Sequence, residues 1–151
     1  MILEAGKNNN KMSNKTDLNL TEPYIIEFPK IGNSSQGYIS VAEKTTLPFE
    51  VKRIYWTYYT PERVERGGHA HYELQQILLA VAGKIIVTVE MPNGIKEEFI
   101  LETPNKGLYI PKMAWRTMKY THNAVQVCIA SMAYSEADYI RDYDTFKSLQ
   151  K

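Results

Sequence analysis

Residues 66–83 read RGGHAHYELQQILLAVAG, placing two of the chain's three histidines one residue apart at the start of an apolar run. On a β-strand, residues i and i+2 project from the same face, so His69 and His71 are predicted to aim two imidazoles into one space. Such a pair can be half of a metal site, or it can move protons near neutral pH. The third histidine, His122, falls in the turn-like YTHNA and reads as an exposed loop residue.

Working outward, short stretches rich in β-branched and aromatic residues recur: YIIEF, YISVAE and FEVKRIYWTYY before the histidines, GLYIP, WRTMKY and AVQVCIASM after them. The run ILLAVAGKIIVTVEM breaks at Gly83, and Asn93-Gly94 supplies the tight turn of a hairpin leading into IKEEFIL, which predicts antiparallel neighbours. Helix is expected only at the end. Ser135-Glu136-Ala137-Asp138 resembles a capping box, and Tyr139, Ile140, Tyr143, Phe146 and Leu149 recur at helical spacing. Many short strands with polar turns and one terminal helix predict an all-β jelly roll (double-stranded β-helix) of the cupin kind, with a short C-terminal helix packed on it. Residues 1–21, polar and rich in Asn and Lys, read as a disordered leader to a single domain spanning 22–151.

In cupins a first motif carries His-x-His, then a Glu and a Gly, and a second motif carries a further His; the two histidines, the Glu and the third His hold a metal. Here the spacing survives but the ligands change. Gln76 stands where the Glu is expected, ahead of Gly83, and Arg116 stands five residues after Pro111 where the His would be. A neutral amide is a poor replacement for a carboxylate, and a guanidinium cannot coordinate a cation. A positive charge beside two imidazoles repels a divalent ion and favours an anion such as phosphate. The pocket that results suits isomerisation through an enediol: a base removes a proton beside a ketone, fixed donors stabilise the oxyanion, and a proton returns to the neighbouring carbon. Neither a metal nor another cofactor is expected.

Bulk composition bounds the remaining possibilities. The 151 residues are 44% hydrophobic and 23% charged with a formal net charge of +1, which gives no field arguing for nucleic acid or for an anionic membrane. Cys128, the only cysteine, excludes an internal disulfide and sits in apolar VQVCIAS, so it is expected to be a buried thiol in a cytoplasmic protein. No apolar run reaches the length of a membrane span, and the N-terminus lacks a signal-peptide pattern.

Four motifs in order, PFEVKRIYW, RGGHAHYELQQ, GLYIPKMAWRTM and IASMAYSEADYIRDYDTF, together resemble the cupin-fold sugar nucleotide 3,4-ketoisomerases, the WxcM-like family, over roughly residues 24–150. That resemblance implies a metal-free homodimer acting on dTDP-4-keto-6-deoxy-D-glucose to yield a 3-keto isomer for deoxyamino-sugar synthesis, the source of surface glycans such as the O-antigen of lipopolysaccharide. It also implies site residues: His71 as the base that takes the C3 proton, His69 as its partner in shuttling protons, Tyr55 hydrogen-bonding the sugar oxygens, and Arg66, Arg116 and Gln76 binding the substrate, with the arginines facing the pyrophosphate or the oxyanion. Gly68 departs from the many members that carry an aromatic residue there, which is expected to remove bulk at the pocket edge. The rival expectations are a metal-dependent cupin, a noncatalytic sugar-binding cupin and a 3,5-epimerase acting on the same keto-sugar. Neither the C4 configuration of the product nor strand exchange in a dimer follows from the sequence.

Overall fold

A computed structural model describes residues 20–149; the greater part of the expected leader lies outside the described residues. Eleven of the twelve strands precede the terminal segment: β1 (Tyr24–Glu27), β2 (Ile31–Asn33), β3 (Gly37–Ile39), β4 (Arg53–Tyr58), β5 (Arg66–His71), β6 (Gln76–Ala82), β7 (Ile85–Glu90), β8 (Lys96–Leu101), β9 (Lys106–Ile110), β10 (Trp115–Tyr120) and β11 (Val125–Ala130). The short β12 (Tyr139–Ile140) and the helix α1 (Tyr143–Ser148) close the chain. Two five-stranded antiparallel sheets, ordered β1-β9-β6-β11-β4 and β12-β5-β10-β7-β8, form the jelly roll. The expected hairpin is present, with Glu90 opposite Lys96 and the turn closed by bonds from the amides of Met91 and Gly94 to the carbonyls of Ile95 and Met91.

Alternation along the strands explains why β6 reads as a continuous apolar run. Leu78 and Ala80 turn inward to the core between the sheets, with Val87, Leu101, Leu108 and Cys128, while Ile77 and Leu79 turn outward onto a second cluster with Phe28, Tyr109 and Ile129. Both faces of this central strand are therefore buried. The outer cluster is covered in part by Leu47, Phe49 and Val51. This corrects one expectation: YISVAE and FEVKRIYWTYY form strand only at Gly37–Ile39 and Arg53–Tyr58. Between them the chain turns at Glu43, whose carbonyl accepts from the amides of Thr46 and Leu47, so the apolar pattern there reflects burial of a covering loop.

A second correction concerns the C-terminus. Ser135 makes no side-chain cap and precedes only a single 3-10 turn at Glu136–Asp138. Tyr139 and Ile140 then pair with His71 and Ala70, and the helix starts only after Asp142, whose carboxylate accepts from the Thr145 amide. The edge of β5 offers unpaired backbone groups, and satisfying them outweighs the helical periodicity of residues 139–149. α1 then packs Phe146 against Ala70, Ile140 and Trp115 on the outer face of the second sheet, and Glu90 holds it through Lys147 and Tyr143.

Candidate active site

The inner faces of the two sheets are apolar at one end and polar at the other. At the polar end β5 supplies Arg66, His69 and His71, β10 supplies Arg116, β4 supplies Arg53 and Tyr55, and β6 and β11 supply Gln76 and Gln126. Arg66 and His69 are three residues apart, a spacing that would place them on opposite faces of a regular strand. A bulge resolves the conflict. Arg66 lies opposite Met118 and Gly67 opposite Thr117, but His69 lies opposite Arg116, so Gly68 is extra. Gly67 and Gly68 have φ of 86° and 68°, and a Cβ on Gly67 would stand 2.6 Å from the Arg116 carbonyl oxygen. The Gly-Gly pair is thus the device that turns both histidines and Arg66 inward.

His69 and His71 do share one space, with ring centroids 5.0 Å apart, and the Tyr139 ring lies 4.2 Å from His71 and 5.0 Å from His69. His71 is only 1% exposed. Its Nδ1 lies 3.2 Å from Oδ2 of Asp138, whereas its Nε2 is buried with no hydrogen-bond partner. Burial first, then the Arg116 charge, pushes the His71 imidazole down to about 2 and the half-buried His69 down to about 4. Both rings are neutral at pH 7.

Arg116 is the largest fully buried side chain among the described residues, and none of its three guanidinium nitrogens has a partner. Burial draws it down to about 10, partly opposed by Tyr55, Cys128, Tyr139 and Asp138, so it stays cationic at neutral pH. The Tyr55 hydroxyl accepts a 2.9 Å bond from the Gln76 amide, which also reaches the Cys128 sulfur at 3.4 Å. Gln76 therefore stands behind Tyr55. The hydroxyl keeps its own proton, since burial raises the phenol well above its usual range. Cys128 is buried as expected, and burial pushes its thiol up to about 11.

A cavity of about 260 Å³ is lined by Arg53, Tyr55, Arg66, His69, Gln126 and Tyr139 among others, with His71 buried behind the Tyr139 ring and Gln76 behind Tyr55. A larger groove of about 610 Å³ runs along the outer face of the first sheet, beside the β2–β3 hairpin. Its lining of Phe28, Tyr38, Val41, Leu79, Val81 and Val127 carries no acid–base pair, so the smaller cavity is where chemistry can occur. Among the described residues, no group of three or more His, Cys, Asp or Glu side chains converges as metal ligands would.

Residues 21–151 match the model of the family described as FdtA, WxcM-like, C-terminal. The chain belongs to this family. Within reach of it, the TDP-4-oxo-6-deoxy-alpha-D-glucose-3,4-oxoisomerase of Aneurinibacillus thermoaerophilus is 36% identical over 127 residues, covering 83% of this chain and 91% of that protein. The crystal structure of a 3,4-ketoisomerase from Helicobacter canadensis superposes with a TM-score of 0.80 at 35% identity, covering 85% of this chain and 97% of that one. The sugar 3,4-ketoisomerase QdtA of Thermoanaerobacterium thermosaccharolyticum, in complex with TDP, gives a TM-score of 0.80 at 32% identity over 85% and 93%.

The structure of this WxcM-like chain gathers His69, His71, Tyr55, Arg116 and Gln76 at one end of the jelly roll, with Arg66 exposed at its mouth. His122 lies apart, exposed and stacked on Tyr59. Three neighbours escaped sequence reasoning: Arg53, Asp138 and Tyr139. Arg53 was visible in PFEVKRIYW as one residue of strand period from Tyr55, and alternation alone could have placed it. Asp138 and Tyr139 were read as the start of a helix, and only the pairing of β12 with β5 delivers them. At Gly68 a Cβ would meet nothing within 4 Å, so the space beside it is open.

Proposed function

We propose that this chain is a sugar nucleotide 3,4-ketoisomerase that moves the keto group of a TDP-linked 4-keto-6-deoxyglucose from C4 to C3. The observation that carries the reading is the pairing of a neutral, partner-free Nε2 on His71 with an unpartnered guanidinium on Arg116, both buried directly behind the polar cavity that His69, Tyr55 and Tyr139 line. One accepts a proton and the other stabilises the negative charge left behind. The likeness to proteins that act on TDP-linked keto-sugars supports the substrate class.

The C4 carbonyl acidifies the C3 hydrogen. His71 removes that proton through Nε2, the C3–C4 bond becomes double, and the electron pair moves onto O4, where Arg116 holds the oxyanion. His69, on the same face, carries the proton of the C3 hydroxyl toward O4, and Tyr55 donates to the sugar oxygens with its hydroxyl oxygen anchored by Gln76. His71 then gives its proton to C4, the pair on O3 forms the new C3 carbonyl, and the imidazole is neutral again. Atoms and charge balance within the substrate, and no redox partner or metal is used. Arg66 at the mouth faces the pyrophosphate, aided by Arg53, whose guanidinium lies over the Tyr55 and Tyr134 rings.

A second copy of the chain completes the reading. The outer face of β4, an edge strand, exposes Ile54, Trp56 and Tyr58, with Trp56 63% exposed. Among the described residues the β2–β3 hairpin pairs with no other strand, and it exposes Ile31, Tyr38 and Ile39. A lone two-stranded hairpin is marginal in water, and a patch of this kind marks a contact surface. A homodimer with two-fold symmetry is the commonest assembly that buries such a face. Cytoplasmic residence fits a lone reduced, buried thiol, and no described helix is long and apolar enough to cross a membrane.

The test is to incubate chelator-treated protein with TDP-4-keto-6-deoxyglucose in deuterated water and follow the ring protons by NMR. Formation of the 3-keto isomer is expected. A ring spectrum that does not change rejects the reading, and deuterium entering C3 and C5 without ketone migration assigns the chain to epimerisation instead.

A further inference from the structure

The mechanism above uses His71 but leaves its second ring nitrogen and the carboxylate beneath it unexplained. Asp138 is buried, and its carboxylate and its carbonyl oxygen bond to the end of β5 and to the turn that follows it. Its Oδ1 accepts from the Glu73 amide at 2.8 Å, its Oδ2 accepts from the Leu74 amide at 3.2 Å, and its carbonyl accepts from the Tyr72 amide at 3.0 Å. The same Oδ2 lies 3.2 Å from His71 Nδ1. Two segments 67 residues apart in the chain are thus locked together at the one histidine that is fully buried.

We infer that Asp138 is a positioning residue that fixes His71 in the Nδ1–H tautomer, so that Nε2 always presents its lone pair to the substrate. An ionised carboxylate only accepts hydrogen bonds, so contact with it requires the proton on Nδ1. The opposite tautomer would set the Nδ1 lone pair against the carboxylate and leave an Nε2–H donor buried near the Arg116 cation, unsatisfied. With Nδ1 protonated the first cost vanishes, and Nε2 is left as a lone pair rather than a proton in the field of the Arg116 cation. Among the described residues no carboxylate makes such a contact with His69, whose ring has the Gly67 backbone as its partner instead, which separates the two histidines by environment. The inference rests on the proposed isomerase reading only for its consequence on rate; the tautomer itself can be read without substrate.

The experiment has two arms. In ¹⁵N-labelled protein at pH 7, long-range ¹H–¹⁵N correlation is expected to show a protonated, pyrrole-like Nδ1 and a pyridine-like Nε2 for His71. Asp138→Asn places an amide that can turn its NH₂ toward Nδ1, which is expected to reverse that pattern and to lower kcat about 100-fold or more with little change in KM. An Nε2-protonated His71 in the unaltered protein overturns the inference whether or not the variant folds, and so does an Asp138→Asn protein that keeps both tautomer and rate. If the expected tautomer and its reversal are seen but no isomer forms in either protein, the inference stands and the functional reading fails.

Discussion

Arg116 lies directly across from His69 on the neighbouring antiparallel strand, and its guanidinium is 1% exposed with all three nitrogens unpartnered. A buried cation without a partner destabilises the fold that holds it. In the proposed reaction that cation works on an anion that the pocket creates or receives. Arg116→Met is therefore expected to leave the melting temperature unchanged or raise it, while lowering kcat by about 100-fold to 1,000-fold. Calorimetry paired with steady-state rates checks this; a large loss of stability would mean that the guanidinium is a structural element.

The two imidazoles carry a pH signature. Both titrate lower in the folded chain than the 6.5 of a free histidine, at about 4 for His69 and about 2 for His71. As pH falls below 6.5 the unfolded chain takes up protons before the folded one, so stability declines from there and levels off only once each ring protonates in place. The loss at pH 5 is about 2 kcal/mol for His71 and less for the more accessible His69. Denaturant titrations at pH 7 and pH 5 measure it. The acid limb of kcat/KM should fall below pH 5, because the base remains neutral; a limb centred near 6.5 would remove His71 from that role.

Gly67 and Gly68 are expected to separate in mutagenesis although they are neighbours with similar φ. Gly67→Ala drives a methyl group against the Arg116 carbonyl and strains the backbone, costing about 2–4 kcal/mol and misaligning His69. Gly68→Ala meets only open space and bears the φ strain alone, about 1 kcal/mol. Urea denaturation midpoints for the two variants decide the matter, and equal losses would show that the bulge does not depend on the close approach.

Tyr55→Phe removes the hydroxyl that accepts from Gln76 on a side chain lining the pocket. Stability should fall by about 1 kcal/mol as the buried amide loses an acceptor, and kcat by about 10-fold to 100-fold. Single-turnover kinetics would show whether the loss lies in the proton-transfer step. An unchanged rate would leave Tyr55 as packing.

Trp56→Asp places a charge on the exposed apolar face of β4. Light scattering on the eluted protein is expected to report a mass near two chains for the original sequence and near one for the variant. A monomeric original protein would rule out the second copy.

Much of the fold was legible because each signal was local. Alternation along KIIVTVE and the Asn93-Gly94 turn dictate a hairpin whatever surrounds them, and the isolated Gly83 separates β6 from β7. The same holds for His69 and His71, which share a face by strand period alone. The C-terminal segment misled for the opposite reason. Tyr139 and Ile140 carry a helical pattern, yet the open edge of β5 takes them into the sheet, and a partner seventy residues away in sequence leaves no mark in their own neighbourhood.

By itself, the sequence determined a β jelly roll and a pair of histidines on one face, since period and turn chemistry are properties of the residues themselves. The tertiary structure alone decided which histidine touches a carboxylate, which arginine is buried and which meets solvent, and that Gly68 is the extra residue of a bulge. Protonation, burial and bulge placement depend on what lies across the barrel, and the chain reaches across only once it is folded.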